Sequence, residues 1–335
     1  MKTLLALNGI TKEYSGKKKA AVSNISFELQ KGEIVTILGS SGSGKTTLLR
    51  IIAGLEIPDA GNITLDEKVI NSPSIFIPPE KRNCSLVFQS YALFPNMTVK
   101  ENIFFGKQSR ENLEVINELI TMTNIQEIQN RFPHQISGGQ QQRVALVRAL
   151  AINPSLLLLD EPLSHLDQDL KTKIRSELSD LFHKSETTTL IVSHDMEDAM
   201  SISDRIIIIE EGEVVQIGTP LEVYNYPTNR YSALLFGESN FIPKNMFSEN
   251  CEHFFDTKSD QDVVSVRPSQ FSLFNTNSSN DKLVIEGEVI SVNILGDYKQ
   301  VEIKRNQFIL KINLPILFDV KISDFLKFVC DKEAK

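Results

Sequence analysis

The sequence predicts an α/β protein followed by a second, all-β domain, and three observations carry that prediction. Short aliphatic runs, "EIVTILG" (33–39), "LLLLDEP" (156–162) and "TTLIVSH" (188–194), alternate with helix-forming stretches. That pattern belongs to buried strands joined by crossover helices. One of these strands ends in a glycine-serine turn that opens straight into the helical stretch "TTLLRIIAGL". After about residue 236 the alternation stops and period-two patterning replaces it.

Taken in order, "EIVTILG" is a buried strand closed by a turn. "NITLDEKVI" reads as two short strands around Asp66-Glu67, and "CSLVFQ" as a strand ending at Gln89. Residues 99–131 are rich in helix formers and lack β-alternation. With the helix after Gly139, in which Val144, Val147 and Ala151 share a face, they form a helical insertion over about residues 90–150. "LLLLDEP" is a strand, because Asn153-Pro154 and Pro162 bracket it too tightly for a helix. "TTLIVSH" is another, and "DRIIIIEEGEVVQIG" is a hairpin around Glu211-Gly212. The first domain is therefore expected over 1–236. The second, over 241–335, holds "VVSVRP", "EGEVISVNI", "KQVEIK" and "FILKINL", with a turn at Gly296-Asp297. It reads as a small all-β barrel.

Charge and cysteine content narrow the classes. The net charge is −8, and residues 241–335 carry 12 Lys+Arg against 14 Asp+Glu, so neither the chain nor its β-domain has the basic footprint of a nucleic-acid binder. No run approaches the roughly 20 apolar residues that span a bilayer. Cys84, Cys251 and Cys330 are odd in number and widely spaced, as expected of a reduced cytosolic protein with neither a disulfide frame nor a zinc site.

Chemistry concentrates at strand ends. "GSSGSGKT", with Gly39, Ser40, Ser41, Gly42, Ser43, Gly44, Lys45 and Thr46, fits the phosphate-loop pattern G-x-x-x-x-G-K-[ST] and sits between a strand and a helix. Its backbone amides would close around phosphate oxygens, Lys45 would reach the terminal phosphates, and Thr46 would ligate magnesium. Asp160 and Glu161 end a buried strand. A carboxylate pair there is costly unless it meets a cation or proton chemistry, so Asp160 is expected to hold magnesium and Glu161 to polarise the attacking water. A second glycine-serine loop, Ser137-Gly138-Gly139, opens the helix over "QQQRVALVRALA", where helix-terminal amides and the positive dipole end favour an anion. His194, Gln89 and Tyr14 are ordinary residues when each is taken alone.

Together these motifs resemble the ATP-binding-cassette ATPases. The phosphate loop, Gln89, "ISGGQ", "LLLLDEP", "SHLD" and His194 occur in the family's order over roughly residues 3–236. Lys45 and Ser137 stand 92 residues apart, and Ser137 and Asp160 stand 23 apart. The resemblance implies a P-loop NTPase cassette with a mixed sheet, binding ATP and Mg2+. It implies that Tyr14 stacks on adenine, that Thr47 and Gln140 flank the nucleotide, and that Gln89 senses magnesium and couples to a membrane partner. It further implies that Asp167 orders a dimer contact and that His194 meets the γ-phosphate. The family places Leu where Ile136 stands, a conservative difference. It works as a head-to-tail homodimer in which the Ser137 loop of one subunit closes on ATP held by the other, so two cradles in one chain serve two ATP molecules.

The resemblance also sorts the subclasses. The 92-residue interval leaves no room for the coiled coil of chromosome-maintenance ATPases. There is one cassette rather than the two usual in ribosome-acting factors, and no membrane helices of a fused exporter. What it implies is a separate subunit docked on a permease at the cytoplasmic face of the membrane, working indirectly with a solute-binding protein. The β-domain resembles the OB/TOBE-like barrel of importer ATPases for maltose, sulfate, polyamines and iron. "SYALFPNMTVKENIFFG" and "GESNFIP" look most like the ferric-iron group, with polyamine, sulfate or sugar as the alternatives. A nucleotide-dependent regulatory protein is the expectation from a different class.

Overall fold

Leu, Ile and Val at consecutive strand positions leave no polar face to turn toward water, so those strands must be covered on both sides. The computed structural model satisfies this requirement. It describes residues 2–16, 19–106, 113–164, 166, 168–247, 253–256, 258, 260–274, 283–305 and 308–330, in two units, Met1–Leu221 and Glu222–Lys335.

In chain order the first unit contains β1 (Thr3–Lys12), β2 (Val22–Gln30), β3 (Ile34–Leu38), α1 (Lys45–Ala53), β4 (Ala60–Leu65), β5 (Lys68–Ser72), β6 (Ile75–Phe76), β7 (Cys84–Val87), α2 (Val99–Ile103), α3 (Leu113–Met122), α4 (Gly138–Leu150), β8 (Leu156–Asp160), α5 (Gln168–Ser185), β9 (Thr188–Ser193), α6 (Met196–Ile202), β10 (Arg205–Glu210) and β11 (Glu213–Gly218). Its central sheet runs β11-β10-β3-β9-β8-β7, parallel except for the hairpin partner β11. Successive residues face opposite cores. Leu156 and Leu158 pack with α1 and with a second, antiparallel sheet, β2-β1-β4-β5-β6, while Leu157 and Leu159 pack with α2, α3, α4 and α5. The parallel sheet was expected from the sequence. The antiparallel sheet was not, and "NITLDEKVI" belongs to it. The "CSLVFQ" strand ends at Val87, two residues before Gln89.

Parallel registers set Leu38 beside Ser193, Val192 beside Asp160, and Val87 beside Leu159. The phosphate loop, His194, the Asp160-Glu161 pair and Gln89 therefore all leave the sheet at one edge, the carboxyl ends of the strands, where α/β sheets bind ligands.

The second unit begins ahead of the 236–241 break expected from the sequence. It takes up α7 (Pro220–Asn225), which straddles the division, and α8 (Arg230–Leu235), because buried Arg267 donates to the carbonyls of Tyr224, Ala233, Gly237 and Glu238. Two antiparallel sheets follow. One is formed by β12 (Asn240–Pro243), β13 (Phe254–Asp256) and β14 (Gln261–Val266). The other is formed by β15 (Phe271–Leu273), β16 (Val284–Leu295), β17 (Tyr298–Arg305), β18 (Phe308–Pro315) and β19 (Phe325–Cys330). They share one core, from Ile242 and Val264 to Ile303 and Phe328.

Candidate active site

The loop after β3 is shaped by glycines where no other residue fits. Gly44 has φ +101°, and a Cβ there would stand 2.0 Å from the Ala21 carbonyl oxygen. Gly44 is also the N-cap of α1, and no side chain caps that helix, so its first-turn amides stay available to an anion. The Lys45 side chain is buried and folds back over the loop, donating to the carbonyls of Gly39 and Ser40, each at 2.8 Å. Burial pulls its ammonium below the ordinary lysine range, while Glu161 and Asp160 oppose that shift.

From the first turn of α1, Thr46 Oγ1 donates to Asp160 Oδ1, at the end of β8, at 3.0 Å. Burial holds the Asp160 carboxyl above its usual range. The Thr46 bond lowers it, nearby Glu161 raises it further, and Arg50 and Lys45 lower it. Glu161 has left-handed backbone, φ 47°, and its N–H is tied to the Val192 carbonyl at 2.9 Å. A non-glycine residue in the left-handed region is held there by its surroundings. The turn aims its carboxylate between two partners. His194 Nδ1 lies 3.1 Å from Oε1, and Gln89 Nε2 donates to Oε2 at 3.2 Å and to Ser164 Oγ at 3.1 Å.

A cavity of about 190 Å³ adjoins these groups, lined by Tyr14, Ala21, Ser41, Gly42, Gly44, Lys45, Thr46, Thr47 and Glu161. The Lys12 ammonium lies 5.6 Å from the centre of the Tyr14 ring. The structure thus brings the phosphate loop, Tyr14, Thr47, Asp160, Glu161, His194 and Gln89 into one neighbourhood.

Ser137, Gly138, Gly139 and Gln140 do not line this cavity. Ser137 caps α4, its Oγ accepting from Gln140 N at 3.3 Å while Gln140 Oε1 accepts from Ser137 N at 3.0 Å. The sequence suggested a loop with its amides free. Here the amides of Ser137 and Gln140 are already spent in a capping box, and the Ser137-Gly138 pair is exposed. Asp167 lies outside the described residues.

Sequence reasoning missed three supporting residues. Ser164 receives Gln89 and donates to the Glu161 carbonyl at 3.0 Å. Arg148 of α4 donates to the carbonyls of Tyr91 and Ala92, two consecutive residues with left-handed backbone just after Gln89. Arg175 of α5 binds the turn after His194. Helical arginines look like solvated face in a sequence, and nothing in the spacing separates these two from the rest.

Residues 22–164 match the family model described as ABC transporter. The chain is 38% identical to the Fe(3+) ions import ATP-binding protein FbpC of Haemophilus influenzae, across 96% of this chain and 95% of that one. It is 40% identical to the putrescine transport ATP-binding protein PotG of Escherichia coli, across 91% and 86%. Among solved structures, a dimeric ATP-binding cassette in a post-hydrolysis state bound to ADP and Pi superimposes with a TM-score of 0.56. It is 33% identical, across 65% of this chain and 99% of that chain. A cassette from Clostridium perfringens, part of an ABC transporter complex, gives 0.60 at 27% identity, across 67% and 91%. With near full-length relatives at this identity, the chain belongs to the ABC transporter family, among the ATP-binding subunits of importers.

Proposed function

We propose that this chain binds ATP in the loop at Gly39–Thr46 and hydrolyses it to drive uptake of ferric iron through a membrane permease. The observation that carries the hydrolytic reading is the three-way contact at Glu161. A carboxylate on a strained turn has His194 Nδ1 at 3.1 Å from one oxygen and accepts from Gln89 on the other, beside a cavity floored by the phosphate loop. Tyr14 offers a ring to the base, and Lys45 moves from the loop carbonyls to phosphate oxygens. Glu161 takes the proton of the attacking water, and His194 holds the end of the transferred phosphate.

Thr46 and Asp160 fit magnesium. They offer two hard oxygen donors in contact, one of them a buried carboxylate that makes no ion pair among the described residues, with Arg50 and Lys45 acting on it only from a distance. Magnesium usually takes one or two protein oxygens and completes its shell with phosphate and water. When bound it would neutralise charge on the phosphates. Gln89, spent on Glu161 and Ser164, would reach the ion only by releasing them.

Ferric iron is supported by the Haemophilus importer subunits, 38% and 39% identical over 96% of this chain. Putrescine is the second reading, on the 40% identical Escherichia relative. No helix among the described residues is long and apolar enough to cross a membrane; by its likeness to importer subunits this chain would work with a separate permease, on whose cytoplasmic side it would sit. The α4 loop, which does not line the cavity of its own chain, would close on the ATP of a second copy.

Glu161→Gln tests the hydrolytic reading. ATP binding should persist while turnover falls by about 10²-fold or more; wild-type turnover would remove Glu161 from its role. Deleting the chain from its own cells should abolish ATP-dependent uptake of radiolabelled ferric iron and spare putrescine. The reverse pattern would reassign the cargo.

A further inference from the structure

His194 is an exposed group at the carboxyl edge of the sheet. Its side chain is 53% exposed, yet its Nδ1 stands 3.1 Å from Glu161 Oε1. The residues that flank it are Asp195, which α5 grips directly, and Ser193, which is tied to Asp195 and Asp198. Arg175, its side chain 7% exposed, splays three nitrogens onto three carboxylates at the start of α6. Nε donates to Asp198 at 2.6 Å, one terminal nitrogen to Glu197 at 2.6 Å, and the other to Asp195 at 3.1 Å. Lys171, one turn earlier on α5, adds a contact to Asp195 at 3.2 Å. On the other side of the histidine, Ser193 Oγ donates to Asp198 and accepts from the Asp195 N–H, each at 3.0 Å.

We propose that Arg175 is a positioning residue for His194. By gripping Asp195 and Asp198 it sets the turn from which the imidazole reaches Glu161 and the terminal phosphate of ATP. The proposal rests on the role given to His194 above. The geometry is more specific than helix packing needs. An apolar residue would join α5 to α6 equally well, whereas a planar guanidinium meeting three carboxylates fixes their directions as well as their distance. A lysine in its place keeps one charge but cannot span the fork. With residues 193 and 195–198 held, ring rotation is the main freedom left to His194. Misplacing a reacting group by about 1 Å costs up to about 10²-fold in rate.

The test is a double-mutant cycle on the full chain, with Arg175→Lys, His194→Ala and the pair, read by single-turnover hydrolysis and by nucleotide affinity. Arg175→Lys should slow hydrolysis about tenfold or more at unchanged ATP affinity. In the His194→Ala background the same substitution should cost less than about twofold, because the group it positions is gone. An equal loss in both backgrounds would mean a structural role and overturn the proposal, and so would no loss in the first. If Arg175→Lys fails to fold, Asp195→Asn, which keeps a side chain able to cap α6, should show the same His194-dependent loss. A shifted imidazole nitrogen resonance of His194 in either variant would support the account, and an unmoved one would oppose it. Wild-type turnover in His194→Ala itself would instead remove the histidine from the reaction, a distinguishable failure that takes this proposal with it.

Discussion

Two helices in this chain begin at glycine-serine loops, and they begin differently. Helix α1 starts at Gly44, in left-handed backbone with no side-chain cap, against a carbonyl that leaves no room for a Cβ. Helix α4 starts at Ser137 with a reciprocal capping box, and among the described residues a Cβ on Gly138 would meet only Leu166 Cδ2, at 3.8 Å. The first end is complete only when something outside the protein satisfies it. The second is already stable and offers its glycine surface outward. A primary phosphate cradle needs the former, and a clasp that engages and releases needs the latter.

Breaking the first loop should have the largest effect. Gly44→Ala forces a side chain into a left-handed position and against the Ala21 carbonyl. Strain of 1–3 kcal/mol plus displacement of the cradle should lower ATP affinity by about 100-fold, measured by titration with a fluorescent nucleotide. Near wild-type affinity would show that the loop tolerates what its geometry forbids.

Asp160 sharpens the contrast through stability. Its carboxyl is held above the usual range by burial, so the folded chain binds that proton more tightly than the unfolded chain does. The group's contribution is whole below its unfolded value, about pH 4, and is lost as pH rises through the raised folded value. At pH 7 the buried charge is therefore a cost. Asp160→Asn should raise the Tm of the nucleotide-free protein by about 2 °C or more while weakening magnesium-dependent ATP binding. A lower Tm would contradict this.

The smallest effect belongs to the second loop. Gly138→Ala has no left-handed backbone to violate and makes only ordinary contact. Stability should stay within about 0.5 kcal/mol, and ATP affinity of the isolated subunit should not change. A marked fall in that affinity would place the α4 loop in its own subunit's site.

The same contrast explains what could be seen in the sequence. Phosphate-loop chemistry is local, so the residues Gly39–Thr46 declared themselves, as did strands whose aliphatic runs are buried on both faces. The antiparallel sheet was harder. Strand β1 carries register shifts between Leu7 and Ile10 and between Ile10 and Lys12, and a bulge destroys the period-two signal. In β2 the buried Ile25, Phe27 and Leu29 alternate with exposed Ser26 and Glu28. The supporting groups, Arg148, Arg175 and Ser164, act across separations of 20 residues or more or through backbone carbonyls, and no local pattern encodes that. The capping box was written in Ser137-x-x-Gln140, but the glycines between them drew the reading toward an open anion site.

The central claim is that the α1 loop holds a subunit's own ATP and the α4 loop serves its neighbour's. The most direct measurement pairs two chains, both carrying Glu161→Gln so that bound ATP is retained, one also with Lys45→Ala and the other with Gly138→Asp. In either homodimer both composite sites carry a fault. In the mixed dimer one site collects both faults and the other has none. The account predicts about one tightly held ATP per mixed dimer and none in either homodimer. No retained ATP in the mixed dimer would mean that each subunit's two loops serve the same nucleotide, and the account would be wrong.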